Sequence, residues 1–300
     1  MTVAVRESVR FAKLTTVGTG GPARFFAEPE SVEELVDLLA WAQENGLLVA
    51  VVGLGSNLLV ADEGFGGLAL RLKWALATVT TQDATLTAGG GAPLAVCLHR
   101  ARGAGLGGLE FACAIPGTAG GGVKMNAGAY GGDIAGVFSR ALVADARGAH
   151  WTGPDELGLS YRRSGVGAGE VVALVEFRLE PRDEAEIRTA VSEMQAQRKA
   201  AQPTNRRTFG SVFKNPEHEL SAGRMLEACG LRGHRIGGAQ ISPKHANFIE
   251  NAGGATSADA LALVAEARRR AREQFGVVLE PEVQLLGAIE IPPLDSPPGP

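Results

Sequence analysis

Between Ala114 and Gly132 the chain places seven glycines in nineteen residues, with Lys124 as the single charged side chain. A polar linker is not built this way, because nothing in the segment favours solvent over a packed interior. Glycine lacks a Cβ, so it tolerates positive φ and lets backbone come close to whatever lies opposite. The bias is global: 41 of 300 residues are glycine, roughly twice the usual 7%. Most of the excess falls in the first half, inside otherwise apolar sequence. A chain like this must fold so that its backbone approaches something closely, either at a sheet corner or around a flat, phosphate-bearing ligand.

Several function classes are disfavoured at the same level. Net charge is −4 with a sequence pI near 5.8, which gives no electrostatic footprint for nucleic acid. No stretch reaches the roughly 18 apolar residues that a membrane-spanning helix needs, and the first residues lack a signal-peptide core. Cys97, Cys113 and Cys229 are odd in number and far apart, and the five histidines are scattered. That usage suits reduced cytoplasmic thiols and offers neither a disulfide framework nor a metal cluster.

The periodicity predicts an α+β protein of mixed sheets. Ser31 and Glu34 form a capping box for a helix over Ser31–Asn45, stopped by Gly46. Leu47–Val52 and Leu58–Ala61 read as strands around a glycine loop, and Pro93–Gly103 reads as a helix. Further strands are expected at Leu68–Leu72, Thr78–Ala88, Ser139–Asp145 and Val171–Leu179. Asp183–Ala201 reads as a charged helix, followed by helices at Ser221–Cys229 and Ser257–Phe275 and a last strand at Val277–Leu286. The tail 292–300 holds five prolines and reads as disordered. The expected division is 1–77 and 78–185 as two lobes, then 186–291 as a separate α/β part.

The first glycine loop, Val52-Gly53-Leu54-Gly55-Ser56-Asn57-Leu58-Leu59, opens into another strand and not into a helix, unlike a Rossmann turn. It is either a tight strand–strand turn or an anion-binding nest of backbone N–H groups. Together with the second loop it resembles the FAD signatures of the vanillyl-alcohol-oxidase-type flavin fold. The second, IPGTxGGxxxMNAGAYG, is similar to the UDP-N-acetylenolpyruvoylglucosamine reductase (MurB) family. The likeness continues at Thr19-Gly20-Gly21-Pro22-Ala23, Tyr161-Arg162-Arg163-Ser164, Gly210-Ser211-Val212-Phe213-Lys214-Asn215-Pro216 and Leu279-Glu280-Pro281-Glu282-Val283.

The resemblance implies a two-lobed FAD-binding domain and an α/β substrate-binding domain. It implies non-covalent FAD, NADPH as electron donor, and reduction of UDP-N-acetylenolpyruvoylglucosamine to UDP-N-acetylmuramate for peptidoglycan precursors; the sequence does not give the oligomeric state, and a monomer is the default expectation. The implied FAD contacts are Gly53, Gly55, Ser56, Asn57 and Leu58, then Ile115, Pro116, Gly117, Thr118, Gly120, Gly121, Asn126, Gly128 and Ala129. Such a reaction must hold a carboxylate, stabilise an enolate-like charge and deliver one proton to carbon. The resemblance gives the charge to Arg162, the proton to Ser211, and orientation or protonation near the carboxylate to Glu282. A guanidinium fork suits a carboxylate and keeps its charge, and Gly210 would expose the serine at a bend. Tyr161, Lys214, Asn215, Arg224 and His245 are the implied substrate contacts.

Two departures stand out. Some members close a loop tyrosine over UDP, but Tyr130 and Tyr161 are the only tyrosines here, and both sit in motifs. Arg206 or Arg207 is the expected electrostatic replacement. Some relatives of the wider flavin fold attach FAD covalently. No histidine precedes His99, which leaves Cys113 as the one nucleophile beside a loop. An FAD oxidase of a sugar or alcohol would keep the glycine loops without needing Ser211 and Glu282. A non-catalytic flavin or nucleotide-sugar binder would tolerate loss of all three reactive residues.

Overall fold

The computed structural model describes residues 4–294. The chain groups into two compact units. The first takes the described residues through Val9, then Arg24–Leu54 and Gly66–Arg198; the second takes Arg10–Ala23, Gly55–Phe65 and Lys199 onward. The expected α+β class is found.

The first unit is built on an antiparallel sheet ordered Gly148–Thr152, Phe138–Asp145, Val171–Arg178, Thr85–Gly89, Val79–Gln82. Thr78–Ala88, expected as one strand, is a hairpin. Gln82 faces Thr85 across a two-residue turn, and Asp83 takes φ +51 there. The helix Val32–Glu44 begins where its sequence predicts, with Ser31 Oγ accepting the Glu34 N–H at 3.2 Å. Only half of the expected box forms, because the Glu34 carboxylate accepts the Glu30 N–H at 2.8 Å instead. Leu35 and Leu38 on this helix are fully buried with Leu68 and Leu70 in one core cluster. Each contributes about 1.5–3 kcal/mol of hydrophobic free energy.

The second glycine run is not a loop throughout. Ala119–Lys124 is a helix, although three of its six residues are glycine, each of which disfavours helix by about 1 kcal/mol relative to Ala. Packing compensates: a Cβ on Gly120 would lie 3.0 Å from Gly90 O and 3.1 Å from Val172 O. Gly120 is glycine because helix and sheet touch at that point.

The second unit centres on an antiparallel sheet ordered Thr208–Ser211, Phe248–Asn251, Ala239–Ile241, Arg235–Ile236. Leu58–Val60 runs parallel to Gln284–Leu286, pairing Leu58 with Gln284. Val277–Leu286 was expected as one strand, but strand geometry is confined to its last three residues. The helix Ser257–Phe275 has the expected span, with a Thr256/Asp259 capping box and Gly276 at φ +69. A tertiary cap adds to it: Asp62 accepts the N–H groups of Ser257 and Ala258 at 2.9 and 3.0 Å. The motif Thr19–Ala23 is part of this support. Thr19 Oγ1 accepts Ser257 Oγ–H at 2.8 Å, and a Cβ on Gly21 would fall 2.2 Å from Asp62 O. The expected disordered tail lies partly outside the described residues; 292–294 belong to no helix or strand. No helix among the described residues is long and apolar enough to cross a membrane.

Candidate active site

In the first unit Arg162 sits at the tip of a tight turn. Ser160 and Arg163 exchange both backbone hydrogen bonds at 3.0 Å, leaving Tyr161 and Arg162 as the two central residues. Arg162 takes φ +54, a conformation that a non-glycine side chain holds only when its surroundings enforce it. The enforcement is visible. Its guanidinium donates to Gly128 O at 2.7 Å and to Asn126 O at 3.4 Å, and its Cζ lies 5.0 Å from the exposed Tyr161 ring.

Asn126 organises this region. It is buried at φ +37. Its amide donates to Asp133 Oδ2 and to Ser160 O and accepts the Ala135 N–H. The side chain therefore faces the scaffold, and Asn126 acts as a positioning residue for the Arg162 turn. Gly128 and Ala129 pair with Asp133 and Gly132 in a two-strand ribbon. Its turn residues, Tyr130 and Gly131, both have positive φ, as that tight hairpin requires. Gly128 is glycine for a local reason, since a Cβ there would meet Gly132 O at 2.8 Å.

The backbone donors of the second loop are not open at its helix. Ala119 N–H donates to Ala92 O and Gly120 N–H to Gly90 O, both at 2.8 Å, and Thr118 Oγ1 accepts the Gly121 N–H. The first helical turn is thus satisfied by the protein itself. Within Ile115–Gly121 the accessible residues are Ile115, Pro116, Gly117 and Gly121; Thr118 is buried. A Cβ on Gly117 would make only ordinary contacts, at 3.8 Å or beyond, so this stretch is open to a flat ligand. Gly53 belongs to the same unit and backs onto Thr118, whose Oγ1 would lie 2.8 Å from an added Cβ. Burial pushes the Cys113 thiol up, away from the thiolate that covalent attachment requires.

In the second unit the remaining motifs gather around Ser211. Gly210 takes φ +82, and a register shift separates the Thr208↔Glu250 and Ser211↔Phe248 pairs. The half-buried serine therefore sits on a bulge, consistent with the bend expected of Gly210. Ser56 lines the other side, with its carbonyl 3.2 Å from where a Gly210 Cβ would be. Gly55 is forced by space as well as by φ +66, since a Cβ would fall 2.0 Å from Leu14 O.

Asn247, also buried, clamps the chain after the serine. Its Oδ1 accepts the Phe213 N–H at 3.0 Å, its Nδ2 donates to Phe213 O at 2.8 Å, and its carbonyl accepts the Val212 N–H at 2.9 Å. Glu282 is brought to the same place, its N–H donating to Val212 O at 2.8 Å. Asn57 donates to Glu282 O at 3.1 Å and accepts the Gln284 N–H through its own carbonyl. These links from Asn57 and Asn247 escape sequence reasoning, although both asparagines lie beside motif residues.

Glu280 pairs with Lys214 at 2.5 Å, which gives Lys214 a supporting partner. Asn215 accepts the Ala222 N–H at 3.2 Å, joining the serine segment to the helix Ala222–Ala228. That helix carries Arg224, and Gly223 on it leaves room for His245, whose Cε1 would be 2.8 Å from a Cβ there. Burial, then the Arg232 charge, push the His245 imidazole below its ordinary value. Arg206 is turned to the buried Glu250, at 3.7 Å.

Residues 202–286 match the UDP-N-acetylenolpyruvoylglucosamine reductase C-terminal domain, and residues 23–151 match an FAD binding domain. A UDP-N-acetylenolpyruvoylglucosamine reductase from Anaeromyxobacter dehalogenans is 46% identical over 290 residues, covering 96% of this chain and 87% of the relative. The chain belongs to the UDP-N-acetylenolpyruvoylglucosamine reductase family. The protein so named with the suffix 2 in Symbiobacterium thermophilum is 44% identical, over 94% of this chain and 92% of its own length. Among solved structures, the family's enzyme from Thermus caldophilus superposes with a TM-score of 0.82 at 38% identity, over 95% of this chain and 99% of that one. The FAD binding match spans both glycine loops, so the flavin reading of those loops has support independent of their composition.

Proposed function

We propose that the chain is an NADPH-dependent flavoenzyme that reduces UDP-N-acetylenolpyruvoylglucosamine to UDP-N-acetylmuramate, a step of peptidoglycan precursor synthesis. The observation that carries the reading is the Ser211 bulge, where Gly210 bends the chain and Asn247 and Glu282 hold the backbone that follows the serine. An FAD oxidase of a sugar or alcohol needs no proton donor to carbon, so a built serine site speaks for a reductase.

Bound FAD, held non-covalently, supplies the hydride chemistry between NADPH and the enol ether. The accessible stretch Ile115–Gly117 and the half-buried Ser56 and Asn57 are the residues here that would hold it. Arg162 binds the substrate carboxylate and stabilises the negative charge that develops on the substrate beside it. Its fixed position is what makes this effective, because a preorganised cation does not reorganise as charge forms. Ser211 gives the proton from Oγ to carbon. A hydroxyl is a weak acid, but a carbanion-like centre is basic enough to take its proton when geometry is held. Glu282 orients the carboxylate end of the substrate, and Tyr161, Lys214 and Asn215 line its path.

The test uses the purified holoenzyme without oxygen. NADPH should bleach the flavin, and added UDP-N-acetylenolpyruvoylglucosamine should restore its colour with formation of UDP-N-acetylmuramate. A flavin that NADPH reduces but only oxygen reoxidises would overturn the substrate assignment. Retention of flavin in the precipitate after acid treatment would overturn the non-covalent reading.

A further inference from the structure

Lys124 is the single charged residue between Ala114 and Gly132, and Ser164 ends the Tyr161–Ser164 motif; neither has a part in the chemistry assigned above. The fold joins them. Ser164 Oγ donates to Lys124 O at 2.8 Å, and Lys124 Nζ donates to Val166 O. A lysine in the last turn of a helix ordinarily serves the helix dipole with its ammonium in water. This one reaches a carbonyl 42 positions further along the chain, and its own carbonyl accepts a bond from the same segment. Two bonds of opposite direction between the same two segments fix both their distance and their register.

The segment so held is the leg by which the chain leaves the Arg162 turn. The entering leg is held by Asn126, whose amide donates to Ser160 O at 3.0 Å, and the tip by the Arg162 guanidinium on Gly128 O. The stretch 124–128 therefore anchors entry, tip and exit of one strained turn. That anchor is itself fixed. Gly120 N–H on the same helix donates to Gly90 O at 2.8 Å, and Val123 and Val166 are buried in one core cluster with Val172. An arginine at φ +54 keeps that conformation only while its surroundings enforce it. A released exit leg would let the guanidinium swing away from its present direction.

We propose that Lys124 and Ser164 are positioning residues for Arg162, acting by fastening the exit leg of its turn to the glycine helix. This rests on the function proposed above, in which Arg162 receives the substrate carboxylate. Neither side chain touches the substrate in this assignment. Their contribution is the direction of the guanidinium fork, on which bidentate binding of a carboxylate depends. A misdirected guanidinium keeps its charge and loses the fork. Losses should therefore appear with ligands that carry the carboxylate and be absent with ligands that lack it.

Titration calorimetry on the holoenzyme tests this with two probes, UDP-N-acetylmuramate, which has the lactyl carboxylate, and UDP-N-acetylglucosamine, which lacks it. Ser164→Ala and Lys124→Met should each weaken the first by about three- to tenfold and leave the second within about twofold. Ser164→Thr and Lys124→Arg keep the donors and should restore most of the affinity. In turnover the alanine and methionine variants should lower kcat/KM for the enol ether by a similar factor, with flavin reduction by NADPH near the wild-type rate. Hydrogen exchange reads the lock without a ligand: protection across 160–166 should fall by about tenfold in both variants, with Phe138–Asp145 unchanged. If the wild type favours UDP-N-acetylmuramate, unchanged affinity in both variants overturns the proposal, as does parallel weakening of both ligands. If it favours neither, the carboxylate role of Arg162 is sunk, and the lock stands or falls on exchange across 160–166 alone.

Discussion

In the first unit Asn126 ties together three chain segments, reaching Asp133, Ala135 and Ser160, and adopts positive φ to do so. In the second, Asn247 directs both ends of its amide at a single residue, Phe213, two positions after Ser211. Both asparagines are buried, and each holds the segment that carries a candidate reactive side chain. The first clamp shapes a turn so that a charge is presented from strained backbone. The second pins an otherwise irregular strand so that a bulge survives beside a sheet. A carboxamide suits both tasks, because it donates and accepts from one rigid plane. A charged donor tolerates some play in its anchor, whereas a hydroxyl that must deliver a proton does not.

That difference predicts unequal losses. Ser211→Ala should lower kcat for enol ether reduction by about 10³-fold, within the range for removing a positioned proton donor. Flavin reduction by NADPH, followed by stopped flow without oxygen, should remain near the wild-type rate. Arg162→Lys keeps the charge but loses the fork, and should cost about 10²-fold in kcat/KM. If the arginine variant proves the more damaging, the contrast between the clamps is drawn the wrong way round.

The clamps themselves can be broken. Asn247→Ala leaves the N–H and the carbonyl of the buried Phe213 without partners. At about 1–3 kcal/mol for each stranded group, the second unit should lose roughly 2–6 kcal/mol. Asn126 needs a different substitution, because alanine at φ +37 would add backbone strain to the lost bonds. Asn126→Gly should therefore be milder than Asn126→Ala by about 1 kcal/mol in denaturant unfolding. Equal effects would mean that the positive φ carries no strain.

How much of this is legible in the sequence depends on the distance over which each element is determined. The helices Val32–Glu44 and Ser257–Phe275 carry their own caps and stops within a few residues, so their spans can be read. The hairpin at Asp83 carries only a weak signal, since its turn has no glycine and its strands read as one run. The helix at Ala119–Lys124 is illegible in principle. Its three glycines argue against helix, and the contacts that permit it come from Gly90 and Val172. The glycine excess points correctly to close approach, but Gly21, Gly55 and Gly120 approach the protein's own backbone. At the site, motifs name Arg162, Ser211 and Glu282. The links that hold the last two, from Asn57 and Asn247, join positions up to 225 residues apart and have no local signature.

The smallest predicted effect separates the units by pH. The long helix of the second unit is capped by Thr256 and Asp259, and Asp259 accepts the N–H groups of Thr256 and Gly238 at 3.0 and 3.1 Å. Those bonds, the one to Thr256 first, hold its carboxyl below the ordinary aspartate value of 3.8. A carboxylate lowered on folding stabilises the folded form above its unfolded value, and that contribution fades as pH falls through the folded value. The helix Val32–Glu44 is capped by a serine hydroxyl, which does not titrate, and the exposed Glu33 beside it is held low only from within the same turn, by its own backbone N–H and then by Ser31. Hydrogen exchange compared at pH 6 and near pH 3 should therefore show extra loosening at the start of Ser257–Phe275. Asp259→Asn should lower protection there by about 1 kcal/mol at pH 6, the usual size of a cap, and remove most of its acid dependence. Glu266, on the same helix and also lowered by its arginine partners, titrates in both proteins and cancels in the comparison. An unchanged acid response in the Asp259→Asn variant would place the sensitivity elsewhere and leave the two caps equivalent.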